Sequence, residues 1–274
     1  MPVLARALLR RMRGGAQAHL LEADDGHCYV VKFKNNPQHR RILINEWLGS
    51  EFLRYLQITA PEPALVEITN SFASANPDLH IQTGTRRTPP DPGRHFGSRY
   101  PGDPARVAIF DFLPDALLAK VANLNDFLGV YVLDRFAGNA DARQCIFYRA
   151  QVAHPHSAGP AFIASMVDHG FLFDGPNWRF PDAPLHGLYH RPSVYRSVAA
   201  LDDFQPWIER VRHMPDYVLD SAMKQIPLEW LDGDHQELER LLERLAARRH
   251  RIHHLVEDAC AAGKAFPNWP GSPR

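Results

Sequence analysis

Apolar positions fall into three regimes along the chain. Between residues 1 and 68 they are periodic. "AHLLEADDGHCYVVKF" alternates as strand, turn and strand, with Asp25-Gly26 as a hairpin signal. Over residues 39–57, Leu43, Ile44, Trp47, Leu48, Phe52, Tyr55 and Leu56 recur at three- and four-residue steps, which predicts a helix. "APEPALVEI" follows as a Pro-marked entry to another strand. From about 70 to 105 the periodicity is lost in Pro, Gly and Ser, and a long irregular insertion is expected. Its Arg86, Arg87, Arg94 and Arg99 read as solvated in preference to a basic flap over an anion. From "RVAIFDFL" onward the apolar pattern resumes, first as a buried connector strand. "DALLAKVANLNDFLGVYVLDRFAG" then reads as one or two helices, "CIFYR" as strand-like, and "AFIASMVDHGFLF" as strand, tight turn and strand. A last long helix over 234–258 places Leu238, Leu241, Leu242, Leu245, Ile252, Leu255 and Val256 on one stripe.

This order predicts an α+β chain in two unequal lobes: a small β-rich N-lobe, residues 1–113, and a mostly helical C-lobe, residues 114–274. The cleft between such lobes is a common place for a ligand. A chain of 274 residues is long enough to give both a core.

Charge and cysteine content narrow the function classes. Lys+Arg and Asp+Glu both count 31, and no basic stripe or helix-turn-helix signature is visible, so no direct DNA binding is expected. Cys28, Cys145 and Cys260 are far apart, without a CxxC, which argues against a disulfide framework or structural zinc and for a reducing compartment. The N-terminal "MPVLARALLRRMRGG" does not read as a signal peptide, and no stretch approaches the roughly 18 consecutive apolar residues of a membrane span. A cytoplasmic protein without a membrane segment is expected.

The candidate chemistry sits at the edges of these elements. Lys32 follows Val31 in a strand; if Val31 and Phe33 face the core, Lys32 faces the other way, and Lys34 competes with it at the same parity. Glu46 lies in the predicted helix among Ile42, Leu43, Ser50 and Leu53, a surround in which a carboxylate needs a cation. Gly14 and Gly15 could let backbone N–H groups approach phosphate oxygens, with Gln17 and His19 as added donors. "RFAGNADARQCIF" carries Asn139, Asp141 and Arg143 at a helix–strand junction, where Asp141 could orient a hydroxyl and Arg143 could neutralise charge. The alternative is an Asn/Asp turn with a structural Asp–Arg pair; Asp134, inside the helix pattern, reads as such a structural acid. Asp168, leaving an apolar strand just before His169 and Gly170, suits a hard metal. A zinc site built on His169 and the "HPH" at 154–156 lacks a matching Cys or carboxylate set.

The order of these parts, "GGAQAHLLEADDGHCYVVKFKNNPQHRRILINEWLGSEFLRYLQI" and then "LDRFAGNADARQCIF…MVDHGFLF", resembles the HipA-like kinases, a bacterial branch of the protein-kinase-like superfamily. The resemblance implies an ATP- and Mg²⁺-dependent phosphotransferase with a protein Ser/Thr acceptor, a small hydroxyl substrate or lipid headgroup staying open. It puts the nucleotide lysine at Lys32, the helix glutamate at Glu46, the catalytic aspartate at Asp141 and the metal aspartate at Asp168. The adenine would meet a hinge at Phe110, Asp111, Phe112 and Leu113. The chain departs from the family pattern at Ile146, where an Asn metal ligand is usual, and at Arg143, where a His is usual; Gln144 or Asn139 would then supply the polar group. A nucleotide-binding pseudokinase and an AMP-transferring protein therefore remain open alternatives. The resemblance also allows an antitoxin-like partner.

Overall fold

The computed structural model describes residues 1–154, 157–183, 186–262 and 265–270. Five strands near the N-terminus close into a barrel in the order β1-β2-β3-β7-β4. β1 (Val3–Arg11) and β2 (His19–Ala23) pair antiparallel, and β2 and β3 (Cys28–Lys32) form the hairpin that Asp25-Gly26 predicts. Tyr29, Val31 and Phe33 point into the barrel with Leu21 and Val66, so the period of two turns Lys32 outward. α1 (Arg41–Leu56) follows, then β4 (Pro63–Ile68), which pairs in parallel with β1 and closes the barrel.

The stretch expected to be an irregular insertion holds a central strand. After α2 (Asn70–Ala75) and a small hairpin of β5 (Ile81–Thr83) and β6 (Arg86–Thr88) comes β7 (Gly93–Arg99), which pairs with both β3 and β4. Glycines hide it in the sequence, and packing explains them: a Cβ at Gly97 would stand 2.6 Å from Val66 Cγ2. At Gly97 β7 lets the neighbouring strands fill the space, while its own His95 and Phe96 are buried.

The expected connector strand "RVAIFDFL" is also corrected. Residues 106–113 are irregular, and only Phe110 pairs, exchanging backbone hydrogen bonds with Phe147 at 2.8 Å each way. Leu113 is buried, whereas Phe110 and Phe112 are exposed. The chain there meets the second half's hairpin at this one bridge only.

The second half is mostly helical. α3 (Asp115–Leu118) leads to α4 (Asp126–Ala137), whose residues from Phe127 onward are all buried. A long hairpin, β8 (Gln144–His154) with β9 (Ser157–Val167), follows. The strand expected after Asp168 is a 3₁₀ turn over Leu172–Asn177, with Phe173 and Asp174 in the left-handed region. α5 (Trp207–Arg212), α6 (Asp216–Lys224), α7 (Leu228–Leu231), α8 (His235–Arg248) and α9 (Ile252–Ala262) complete the chain. The single helix expected over 234–258 breaks into α8 and α9 at a 3₁₀ turn, where Arg249 bonds Met214 and Asp216.

α1 joins the two halves. Ile42 through Phe52 are buried without a break, the pattern of a helix enclosed on all sides. Its Leu43, Ile44, Leu48 and Phe52 belong to one core with Phe127, Tyr131, Leu172 and Trp230. The only carboxylates so enclosed in α1, Glu46 and Glu51, therefore sit where desolvation is costly.

Candidate active site

A cleft of about 350 Å³ lies between the barrel and the helical half. Lys32 and Val30 enter it from β3, Glu46 from α1 and Asp168 from the end of β9. Lys32 Nζ donates to Glu46 Oε1 and, at 2.7 Å, to Asp168 Oδ1. The Lys32 side chain is 12% exposed and that of Glu46 2%, so this is a desolvated charge cluster. Burial opposes the charge on Lys32, but Glu46 and Asp168 outweigh it and raise its pKa. Burial pushes the Glu46 carboxyl up against the pull of Lys32. The Lys32 ammonium holds Asp168 down to about 2. Lys34 is taken elsewhere: its Nζ donates to Pro92 O at 2.6 Å and Glu229 Oε2 at 2.8 Å.

The loop after α4 holds Asp141 at the cleft edge, exposed. α4 ends on Gly138 at φ +64, and the chain then turns back on itself. Ala140 N–H donates to Phe171 O at 3.0 Å, Asp141 N–H to Asn139 Oδ1 at 3.0 Å, and Gly187 N–H to Asp141 O at 2.9 Å. Among the described residues, only Ala142 N–H is bonded to the Asp141 carboxylate, at 2.7 Å. One carboxylate oxygen is thus free to meet a ligand.

Arg143 and Asn139 do not reach the cleft, which corrects their expected catalytic role. The Arg143 side chain is fully buried; it forks onto Asp134, through Nη2 to Oδ1 and through Nε to Oδ2 at 2.8 Å. Its Nη1 donates to Val167 O at 3.1 Å and lies 2.9 Å from His169 Nδ1. Asn139 is buried and donates to Asp134 Oδ1 at 3.0 Å. Burial drives the His169 pKa far down, so its neutral ring can accept from Arg143. The pattern of the loop signalled polar residues; strand parity, which turns Gln144 and Ile146 to the cleft, turns Arg143 inward. Asp134, Arg143 and His169 are a buried splint between the Asp141 and Asp168 loops.

A second splint was not foreseen. Asn45 Nδ2, with two N–H groups to share, lies 2.7, 3.0 and 2.9 Å from the carbonyl oxygens of Gly170, Leu172 and Gly175, and its Oδ1 accepts from Trp178 Nε1 at 2.9 Å. A Cβ on Gly49 would stand 2.6 Å from His169 Cβ, so α1 lies directly on the loop that carries Asp168. A polar residue beside Glu46 in an apolar helix was the available signal.

The roof of the cleft is the turn between β1 and β2. Gly14, at φ +116, and Gly15 line it. Gln17 lines the cleft too, with its amide engaged by neighbours: Oε1 accepts from Gln82 N–H at 2.8 Å and Arg11 Nη2 at 2.7 Å, while Nε2 donates to Gln82 O at 2.7 Å. It ties the glycine turn to β5. His19 is buried in the barrel 5.3 Å from the Phe33 ring, not turned to the cleft. At the hinge, Asp111 lines the cleft with Ile109. Phe110, Phe112 and Leu113 do not: the two Phe side chains are exposed and Leu113 is buried in the core. Phe112 instead lies under the Arg191 guanidinium, 4.5 Å from its ring centroid.

Among the described residues, no three His, Cys, Asp or Glu side chains form a metal cluster. Of the carboxylates that line the cleft, Asp168 lies with the amide of Gln144 in the lining, a donor set that suits an ion completed by phosphate oxygens. Ile146 faces the same space and offers no donor. Residues 155 and 156 of "HPH" lie outside the described residues. Among the described residues, no helix is long and apolar enough to cross a membrane.

Comparison with known proteins bears on the family and the fold. A family model described as HipA-like kinase matches residues 5–144, from the first strand to the residue after Arg143. No curated protein matches the chain. Two structures of the Golgi casein kinase share its fold. One, with Mn/ADP bound, has a TM-score of 0.50 at 10% identity and covers 95% of this chain and 73% of its own. The other has a TM-score of 0.50 at 11% identity, covering 94% and 71%. The α+β architecture is thus kinase-like.

Proposed function

This chain belongs to the HipA-like kinase family, and we propose that it acts as an ATP- and Mg²⁺-dependent phosphotransferase of two lobes, with a protein Ser/Thr hydroxyl as acceptor. The observation that carries the reading is Lys32, held between Glu46 and Asp168 in a cleft that Gly14, Gly15 and Asp141 also line. Lys32 would turn from Asp168 to the phosphates, while Glu46 keeps the ammonium in place. Asp168 and Gln144 would hold the divalent ion, which when bound neutralises charge on the phosphates. Asp141, with a free carboxylate oxygen, would orient the acceptor hydroxyl and take its proton. The work is mostly positioning and charge neutralisation, which suits the rigid bonding of both acid-bearing loops.

One observation favours a second reading, a nucleotide-binding pseudokinase. Ile146 lines the cleft where a further metal donor would stand. Titration calorimetry with ATP separates the two. The phosphotransferase reading expects binding that weakens strongly in EDTA and is lost in Lys32→Met. Binding indifferent to Mg²⁺ would favour the pseudokinase, and no binding to the wild type would refute both.

A further inference from the structure

The first turn of α1 is electrostatically wrong for a helix. It begins at Arg40 and Arg41, has no acidic residue in its first turn and no side-chain cap. Cations at a helix N-terminus oppose the helix dipole. The missing acids come from the other half of the molecule. Asp232 Oδ2 lies 2.6 Å from Arg40 Nη1, and Asp234 takes Arg41 in a fork, 2.7 Å from Nε and 2.6 Å from Nη2. Arg41 also donates to Pro176 O at 2.9 Å and lies 4.1 Å from the Trp178 ring centroid.

The same segment grips the neighbouring strands. Glu229 Oε2 accepts from Lys34 Nζ, two residues beyond Lys32, at 2.8 Å; its Oε1 accepts from Arg94 N–H at 3.2 Å. Trp230, fully buried, donates Nε1–H to Arg94 O at 2.8 Å and stands edge-on to Trp47 of α1, 6.3 Å between ring centroids. Residues 229–234 thus touch α1, which carries Glu46, the strand β7, and the chain just beyond Lys32, through the charges of Glu229, Asp232 and Asp234 and the buried Trp230.

We propose that residues 229–234 form an ionic brace that holds the N-terminal turn of α1, and so Glu46, in the position that engages Lys32. Glu229, Asp232 and Asp234 are positioning residues; none lines the cleft. The brace supplies from outside the negative charge that α1 lacks at its own start. Because it is ionic and partly solvated, it loosens with salt, unlike the apolar core beneath it. The consequence for nucleotide affinity rests on the reading of Lys32 and Glu46 given above; the consequence for the order of α1 does not.

The test is hydrogen exchange on the 274-residue chain, beside kinetics. In Glu229→Gln/Asp232→Asn/Asp234→Asn, amides 41–49 are expected to exchange at least roughly tenfold faster, while those of α4 and α8 hold their rates. The KM for ATP rises several-fold and kcat changes less. High salt has the same effect on the wild type. Adding Arg40→Glu to the triple variant, an acid on the helix itself, restores slow exchange. Unchanged exchange in α1 would overturn the brace, as would equal acceleration in α1, α4 and α8, or no rescue by Arg40→Glu. If the wild type binds no ATP, the functional reading fails, and the exchange rates still decide the brace.

Discussion

Lys32, Asp141 and Arg143 show how burial sorts residues that look alike in sequence. Lys32 and Lys34 share a strand parity, yet Lys32 meets Glu46 and Asp168 while Lys34 meets Glu229. The lysine's direction followed from the strand period; its choice of partner depends on α1 folding against β9, which no local pattern encodes. Asp141 and Arg143 are two residues apart, and the turn between them sends one to the cleft and the other to the core. Two mutants should therefore behave in opposite ways. Asp141→Asn should lose phosphoryl transfer and alter stability by less than about 1 kcal/mol, because it keeps an oxygen for Ala142 N–H. Arg143→Met strands the buried Asp134 and should cost about 3–5 kcal/mol in chemical denaturation. A fully stable Arg143→Met protein would contradict the splint.

α1 was legible as a helix, and so was the β2–β3 hairpin, because both have strong period and clear ends. β7 was not, because its glycines and exposed arginines read as loop while its partners lie far off in sequence. The break between α8 and α9 was equally hidden, since the apolar stripe runs on through it. The contact of α1 with the Asp168 loop gives a prediction on which two effects disagree. Gly49→Ala would gain about 1 kcal/mol in helix propensity. Its Cβ would stand 2.6 Å from His169 Cβ and 2.8 Å from Leu172 Cδ1, and overpacking of that kind costs about 1–3 kcal/mol. The clash should win: the variant melts lower and transfers phosphate more slowly. A higher Tm with full activity would show that the helix can shift freely against the loop.

The whole molecule couples a barrel, a buried helix and a helical half through polar groups held out of water. His19 and His95 are buried, and desolvation holds both down to about 4. In the unfolded chain they titrate near the ordinary value of about 6.5, so protons favour the unfolded state. Stability is therefore full above pH 6.5 and falls as pH drops toward 4, by at most roughly 3 kcal/mol for each ring. Asp168, held down to about 2, adds nothing in that window; its stabilising charge is lost only below the ordinary carboxylate range. Melting curves between pH 7 and pH 4 check this, with His95→Gln expected to flatten the slope. The order of glycine turn, lysine, glutamate and two aspartates was readable along the chain, and the cleft gathers Gly14, Gly15, Lys32, Glu46, Asp141 and Asp168. No motif of that kind marks an acceptor. The most direct measurement supplies the chain and a mixed protein substrate with ATP labelled at the γ- or the α-phosphate, in Mg²⁺. The account predicts label transfer from γ-labelled ATP alone, abolished by Asp141→Asn. Transfer only from α-labelled ATP, or γ-transfer untouched by Asp141→Asn, would contradict it.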